Sequence, residues 1–320
     1  MIPSSPLNPP RQVTTVMGPV SHEQLGVCDA HNHVWIDSVL NVADGSPVLN
    51  QYDLILRELE EYRQSGGKSI LDCQPGGCGR NGNRLLELSR ASEVNLIACT
   101  GFHRKKYYPP DYWLWDADAH KISDSFYNEL EQGLDETVDT FRPVRAGFIK
   151  IALEAKWNEC PKAALEGAAF TASKTKALVE VHTEKGALAE KACIYFTDQG
   201  VSPQQLVLCH MDKKPDSSLH KALAEFGVLL EYDTFYRPQY DPQYNLWPLI
   251  DKMVNAGFSK YIALAMDMVD TSLYRSTGKG PGFSGLPGEI HEELAKRGYS
   301  ESVREQMLGG NITRRLAGID

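Results

Sequence analysis

The sequence predicts an α/β fold, a closed (β/α)8 TIM barrel in a single domain, from three observations. Eight short apolar or β-branched runs recur along the chain, helical apolar spacing separates most of them, and no Pro/Gly/Ser linker or shift of composition divides it. Strands alternating with helices require a parallel sheet with crossover helices, and eight such units suggest a closed ring. A doubly wound open sheet is the rival reading. The strands are expected at 27–33, 69–72, 96–101, 147–153, 177–182, 206–210, 227–233 and 261–267. Helices are expected at 52–62, 83–94, 124–141, 163–176, 187–199, 217–226 and 248–257. In the first of these, Leu54, Ile55, Leu59 and Tyr62 fall at the offsets of one helix face. One domain then spans 1–320, with an N-terminal extension over 1–26 and a C-terminal helical extension over 300–320.

The 320 residues carry 33 Lys+Arg against 42 Asp+Glu, a formal charge of −9 with histidines neutral. That excess of acid argues against a nucleic-acid or anionic-membrane partner. Hydrophobic residues at 42% and charged residues at 23% are the proportions of a soluble globular chain, which excludes disorder as the main state. Seven cysteines (Cys28, Cys73, Cys78, Cys99, Cys160, Cys193 and Cys209) form an odd set without a C-x-x-C pair. They read as reduced thiols of a cytoplasmic protein, and the missing pair argues against a thiolate zinc finger. The proline-rich start of the chain has no secretion-signal pattern, and no apolar run nears the roughly 18 residues of a spanning helix.

Chemistry is expected where polar residues end the strands. His31 and His33 lie two apart, so both side chains project to one side of the first strand. Alone, H-x-H is a weak signal. Lys150, His182, His210 and Asp267 close the fourth, fifth, sixth and eighth apolar runs in the same way. Each has an ordinary structural explanation by itself: a buried lysine paired with a carboxylate, or a hydrogen-bonded core histidine. In a parallel barrel, however, the C-terminal strand ends converge on one face, where active sites are built. Residues dispersed in sequence are thereby gathered in space.

Four imidazoles and a carboxylate suit a borderline divalent ion, zinc first, with manganese, cobalt or iron as alternatives. The ligands are too many for one tetrahedral ion, and two ions need an anionic bridge. A carbamate (N6-carboxylysine), formed when carbon dioxide adds to a Lys150 amine deprotonated by burial, supplies two oxygens and a negative charge.

These motifs, Asp29-Ala30-His31-Asn32-His33, Gly147-Phe148-Ile149-Lys150, Val181-His182-Thr183, Cys209-His210 and Met266-Asp267, resemble in order and spacing the phosphotriesterase family of the amidohydrolase superfamily. The likeness runs from Val16-Met17-Gly18-Pro19-Val20 to Gly310-Asn311-Ile312. It implies a (β/α)8 barrel with a two-metal site in which His31, His33 and Asp267 hold the buried ion, His182 and His210 the outer one, and carboxylated Lys150 both. Asn32 departs from the pattern, since many members carry an acidic residue there; its side chain should point away from the metals. Thr100-Gly101-Phe102-His103, 235–240 and Gly280-Pro281-Gly282-Phe283 look like the sugar-lactonase branch. The family suggests a homodimer.

Function follows as a binuclear metal-dependent hydrolase of a sugar-type lactone, phosphorylated or not. A hydroxide bridging the two ions attacks the ester carbonyl, and Asp267 accepts the proton. For substrate contacts the sequence offers Tyr107 and Tyr108 in the aromatic and basic loop after strand three. After strands seven and eight it offers Arg237, Arg275 and Lys279, suited to an anion. The alternatives are an organophosphate triester hydrolase, a Schiff-base aldolase using Lys150, and a metal-containing binding protein without turnover. Gly77-Cys78-Gly79-Arg80-Asn81-Gly82 matches G-x-G-x-x-G, but no acidic residue ends the next strand, so it reads as a flexible βα loop. Alternation should turn Cys209 away from the side that His210 faces, which argues against a thiol nucleophile.

Overall fold

The structure, a computed structural model, describes residues 11–278 and 280–319. A short antiparallel hairpin, β1 (Gln12–Thr15) and β2 (Gly18–Ser21), precedes the ring. The ring strands are β3 (Val27–Asn32), β4 (Gly67–Asp72), β5 (Asn95–Gly101), β6 (Phe148–Ala152), β7 (Val179–His182), β8 (Leu206–Cys209), β9 (Leu229–Tyr232) and β10 (Ile262–Leu264). They are parallel and neighbour one another in chain order, β10 through β3. All eight expected strands are present, and the ring is nearly closed.

The gap between β10 and β3 is spanned largely by side chains. The Asp267 N–H donates to the His31 carbonyl at 2.9 Å. Asp29 Oδ1 accepts the Met266 N–H (3.2 Å), Asn32 Oδ1 accepts the Met268 N–H (3.1 Å), and Asn32 Nδ2 donates to Asp29 Oδ2 (2.6 Å). Asn32 therefore points away from the site, as expected, and serves as part of the closure.

Inside the ring, Cys28, Leu71, Ile97, Cys99, Phe148, Val207, Leu229 and Ala263 pack into one cluster. Val13 of the hairpin joins it, and the Val16 N–H bonds the Leu96 carbonyl at 2.9 Å, so the hairpin covers the N-terminal mouth. Ile312, from α10 (Asn311–Leu316), joins the same cluster. A larger cluster fills the space between ring and helices.

The outer helices bury the faces that their spacing marks. In α1 (Tyr52–Gln64) Ile55, Leu59 and Tyr62 of that face are buried and Leu54 is half-buried, with Glu58 buried beside them. Asn81 caps α2 (Gly82–Ser92) by accepting the Arg84 N–H. The third helix differs from expectation: α3 is Ala119–Glu131, not 124–141. Asp118 caps it by accepting the Lys121 N–H, and past Gly133 the chain folds back, the Leu134 N–H bonding the Val144 carbonyl at 2.7 Å. The remaining helices between strands are α4 (Lys162–Thr175), α5 (Ala189–Asp198), α6 (Ser217–Phe226) and α7 (Leu246–Asn255). Two short ones follow β10, α8 (His291–Lys296) and α9 (Glu301–Glu305). Among the described residues no helix is long and apolar enough to cross a membrane.

The G-x-G-x-x-G loop is anchored through Arg80. Arg80 is buried and forks onto two carboxylates, Glu129 and Glu136, pairing with Glu129 through both Nη1 (2.9 Å) and Nη2.

His220 gives a pH prediction. Its Nδ1 meets Tyr232 Oη at 2.8 Å, and burial pulls its pKa down to about 4. In the unfolded chain it takes up a proton near pH 6.5. Between those values the unfolded state binds more protons, so stability is lost as pH falls from about 6.5 to about 4. Urea midpoints measured at pH 7 and pH 5 should drop less in His220→Gln than in the parent.

Candidate metal centre

The expected ligands leave the ring at its C-terminal mouth. The register of β3 against β4 shifts between Asp29 and Asn32, and His31 and His33 both turn inward. Their Nε2 atoms lie 3.7 and 3.6 Å from Asp267 Oδ1. Lys150, fully buried on β6, has Nζ 3.3 and 3.4 Å from the two ring nitrogens of His31 and 3.6 Å from Glu180 Oε2. His182 Nδ1 and His210 Nε2 are 2.9 Å apart, and His210 Nδ1 lies 3.7 Å from Asp267 Oδ2. All six residues fall into one connected cluster.

His210 and Asp267 reach it by leaving the strand conformation, with φ of +63° and +44°. Such left-handed backbone is uncommon for residues with a Cβ and marks sites where surrounding structure imposes it. It also corrects one expectation. Cys209, the last residue of β8, faces into the ring in step with Val207, its Sγ 3.5 Å from Lys150 Nζ, and the left-handed turn brings His210 to that same side. Burial pushes its thiol well up, so a nucleophilic thiolate is still disfavoured.

Three of the imidazoles have one nitrogen held by a hydrogen-bond partner and the other facing the centre. Gln74 Oε1 holds His33 Nδ1 at 2.8 Å, Asp233 holds His210 Nδ1, and Glu184 Oε1 holds His182 Nε2 at 3.2 Å. His31 Nδ1 sits 3.6 Å from both Glu180 Oε2 and Glu231 Oε2. This is how histidines are oriented around a cation. Burial pulls His33 to about 4 and lowers His31, His182 and His210, keeping all four neutral at pH 7, the form that ligates. Burial raises Asp267, but His210, Arg237 and Lys213 outweigh it and hold the carboxyl below its usual range. Glu180 Oε1, Glu231 Oε1 and Asp233 Oδ1 are buried and have no hydrogen-bond partner among the described residues. Four inward lone pairs, an ionised Asp267 and these orphaned oxygens fit divalent cations.

Lys150 departs from expectation. Burial pulls its pKa down, but Cys209, Cys73, Glu180 and Glu231 push harder, and the net shift is upward. Burial alone does not deprotonate this amine. Its surroundings are tightly set: Lys150 pairs with Gly101 of β5, and a Cβ at Gly101 (φ +112°) would stand 1.9 Å from the Lys150 carbonyl oxygen. Gly101→Ala is expected to lower the melting temperature and the metal content together.

Among the expected substrate contacts, Tyr107 lines a cavity of about 310 Å³ beside His33, bounded by 36–48, Gln74 and His103. Arg237 donates through Nη2 to Asp267 Oδ2 at 2.8 Å. Tyr108 is not available: it is buried, its hydroxyl accepting the His103 N–H at 2.8 Å. Arg275 is committed elsewhere, to Glu289 (2.7 Å) and the Pro281 carbonyl (3.3 Å). Lys279 lies outside the described residues. The sequence reading missed Gln74, His103, Glu180, Lys213, Glu231 and Asp233. Glu180 and Glu231 stand two residues before His182 and Asp233, so strand alternation was the available signal.

A parallel eight-stranded barrel gathering histidines, a lysine and an aspartate at its C-terminal mouth defines a metal-dependent hydrolase of ester bonds. The phosphotriesterase family model matches residues 11–316, and the chain belongs to that family. It is 29% identical to a phospho-furanose lactonase of Mycoplasmopsis synoviae over 95% of this chain and 91% of that one. A solved amidohydrolase from Mycoplasma synoviae superposes with a TM-score of 0.85 at 27% identity, covering 97% and 92% of the two chains. A lactonase structure from Listeria monocytogenes, 22% identical, shares the fold with a TM-score of 0.85 over 95% and 98%.

Proposed function

We propose that the protein is a binuclear lactonase acting on a sugar-type lactone, phosphorylated in its preferred form. The observation that carries this is the inward lone pair on each of four oriented imidazoles beside Lys150 and Asp267. The phospho-furanose lactonase among its relatives supports the choice of substrate. His31, His33 and Asp267 would hold one ion, His182 and His210 the other, and carboxylated Lys150 both; imidazole donors favour zinc. When bound, the ions supply the Lewis acidity that activates water and polarises the ester carbonyl. Asp267 accepts the proton at Oδ2, the oxygen turned away from His31 and His33. Arg237 and Lys213, 2.8 and 3.8 Å from that oxygen, hold the anionic group of the substrate. All seven cysteines are free and buried, in keeping with a cytoplasmic protein.

The test is turnover of aldono-lactones, their phosphates, acyl-homoserine lactones and paraoxon. Phosphorylated sugar lactones are expected to be hydrolysed fastest, with activity lost on chelation and restored by zinc. Faster paraoxon turnover would make the protein a triesterase. A borohydride-trapped adduct on Lys150 in active, chelated protein would make it an aldolase, and metal-replete protein that binds lactones without turnover would make it a binding protein.

A further inference from the structure

His103 follows β5 and stands between His33 and His182, with ring centroids 6.4 and 5.0 Å away. The backbone N–H of Arg104 donates to its Nδ1 at 2.7 Å. A nitrogen that accepts from an amide carries a lone pair, so the neutral ring must keep its hydrogen on Nε2. Three further contacts fix the ring. The His103 N–H is tied to Tyr108, Tyr107 packs edge-on at 4.8 Å, and the Arg104 guanidinium is fastened to Glu154 and Glu184. Among the described residues no acceptor takes the Nε2–H, and the ring lines the cavity beside His33, Gln74 and Tyr107. The four imidazoles of the metal centre turn lone pairs inward; this fifth one offers a hydrogen.

We propose that His103 is a substrate-contacting hydrogen-bond donor, its Nε2–H bonding an ester oxygen of the lactone seated in the cavity between His33 and Tyr107. The assignment rests on the hydrolase reading above. It gives the otherwise lone-pair-rich mouth a fixed donor where negative charge develops, and a donor so placed is worth about a hundredfold in kcat.

Two substitutions separate the roles of the ring nitrogens. Asn at 103 keeps an acceptor near the Nδ1 position for the Arg104 N–H but has no donor reaching Nε2; Gln does the reverse. In zinc-loaded protein, His103→Gln is expected to keep kcat within about fivefold, while His103→Asn loses about a hundredfold with unchanged metal content. Thermal stability is expected to run the other way, with Asn closer to the parent. Nitrogen NMR of the zinc-loaded parent should show the proton on Nε2. An active parent in which Asn performs no worse than Gln, a loss that tracks loss of metal, or a proton on Nδ1 would overturn the donor role alone. A parent inert on every ester would sink the hydrolase reading, and this donor with it.

Discussion

Replacing Lys150 by Met is expected to yield a folded protein that binds fewer than two ions per chain and has lost at least about a thousandfold in kcat. The several kcal/mol that a paired-cation site contributes to charge stabilisation convert to that factor. The fold should persist because Met fills similar buried space and because Glu180 has somewhere to put its charge. Burial already raises the Glu180 carboxyl, so in the variant, with no charge partner at position 150, it takes up a proton. Intact mass supplies the second readout: the metal-loaded parent should carry the extra mass of one carbon dioxide on Lys150, and the variant should not. A Met variant with two ions and parental turnover would remove Lys150 from the site chemistry.

Asp267→Asn is expected to cost about 10²–10⁴ in kcat, the range for removing a positioned proton acceptor, with little change in KM. The amide keeps the shape of the carboxylate and can still accept from Arg237, whose Nη2 also reaches the Asp267 carbonyl. What it loses is the charge that His210, Arg237 and Lys213 keep ionised. Metal analysis distinguishes causes: a variant still holding its ions but slow has lost a base, whereas one that sheds an ion has lost a ligand. Turnover within tenfold of the parent would refute both roles.

The ring and the placement of the six principal residues were legible because both follow from short-range periodicity. A run that buries both faces marks a parallel strand, and the polar residue ending it marks the mouth. Alternation stopped being a guide where the strands stop. Cys209 faces inward in step with Val207, and His210 reaches the same side only through left-handed backbone, which nothing in the local pattern signals. Glu180 and Glu231 escaped for the opposite reason: they lie within strands, where period two would have turned them inward, but acidic residues in an apolar run draw attention only once their neighbours are known. Tyr108 and Arg275 show what composition cannot give. An aromatic or basic loop says nothing about direction, and here Tyr108 props up the His103 backbone while Arg275 binds Glu289. The third helix began five residues early because Asp118 offers a cap that spacing alone does not rank.

The clasp between Asp29 and Met266 joins positions 237 residues apart. Contacts of such range form late, since the entropy of closing so long a loop must be offset by structure already in place. On the ribosome, the first pair of imidazoles is made early and must wait for almost the whole chain before its carboxylate partner arrives. A nascent or truncated product can therefore show secondary structure without the ability to retain its cations, and cation uptake during synthesis should serve as a timer for completed folding.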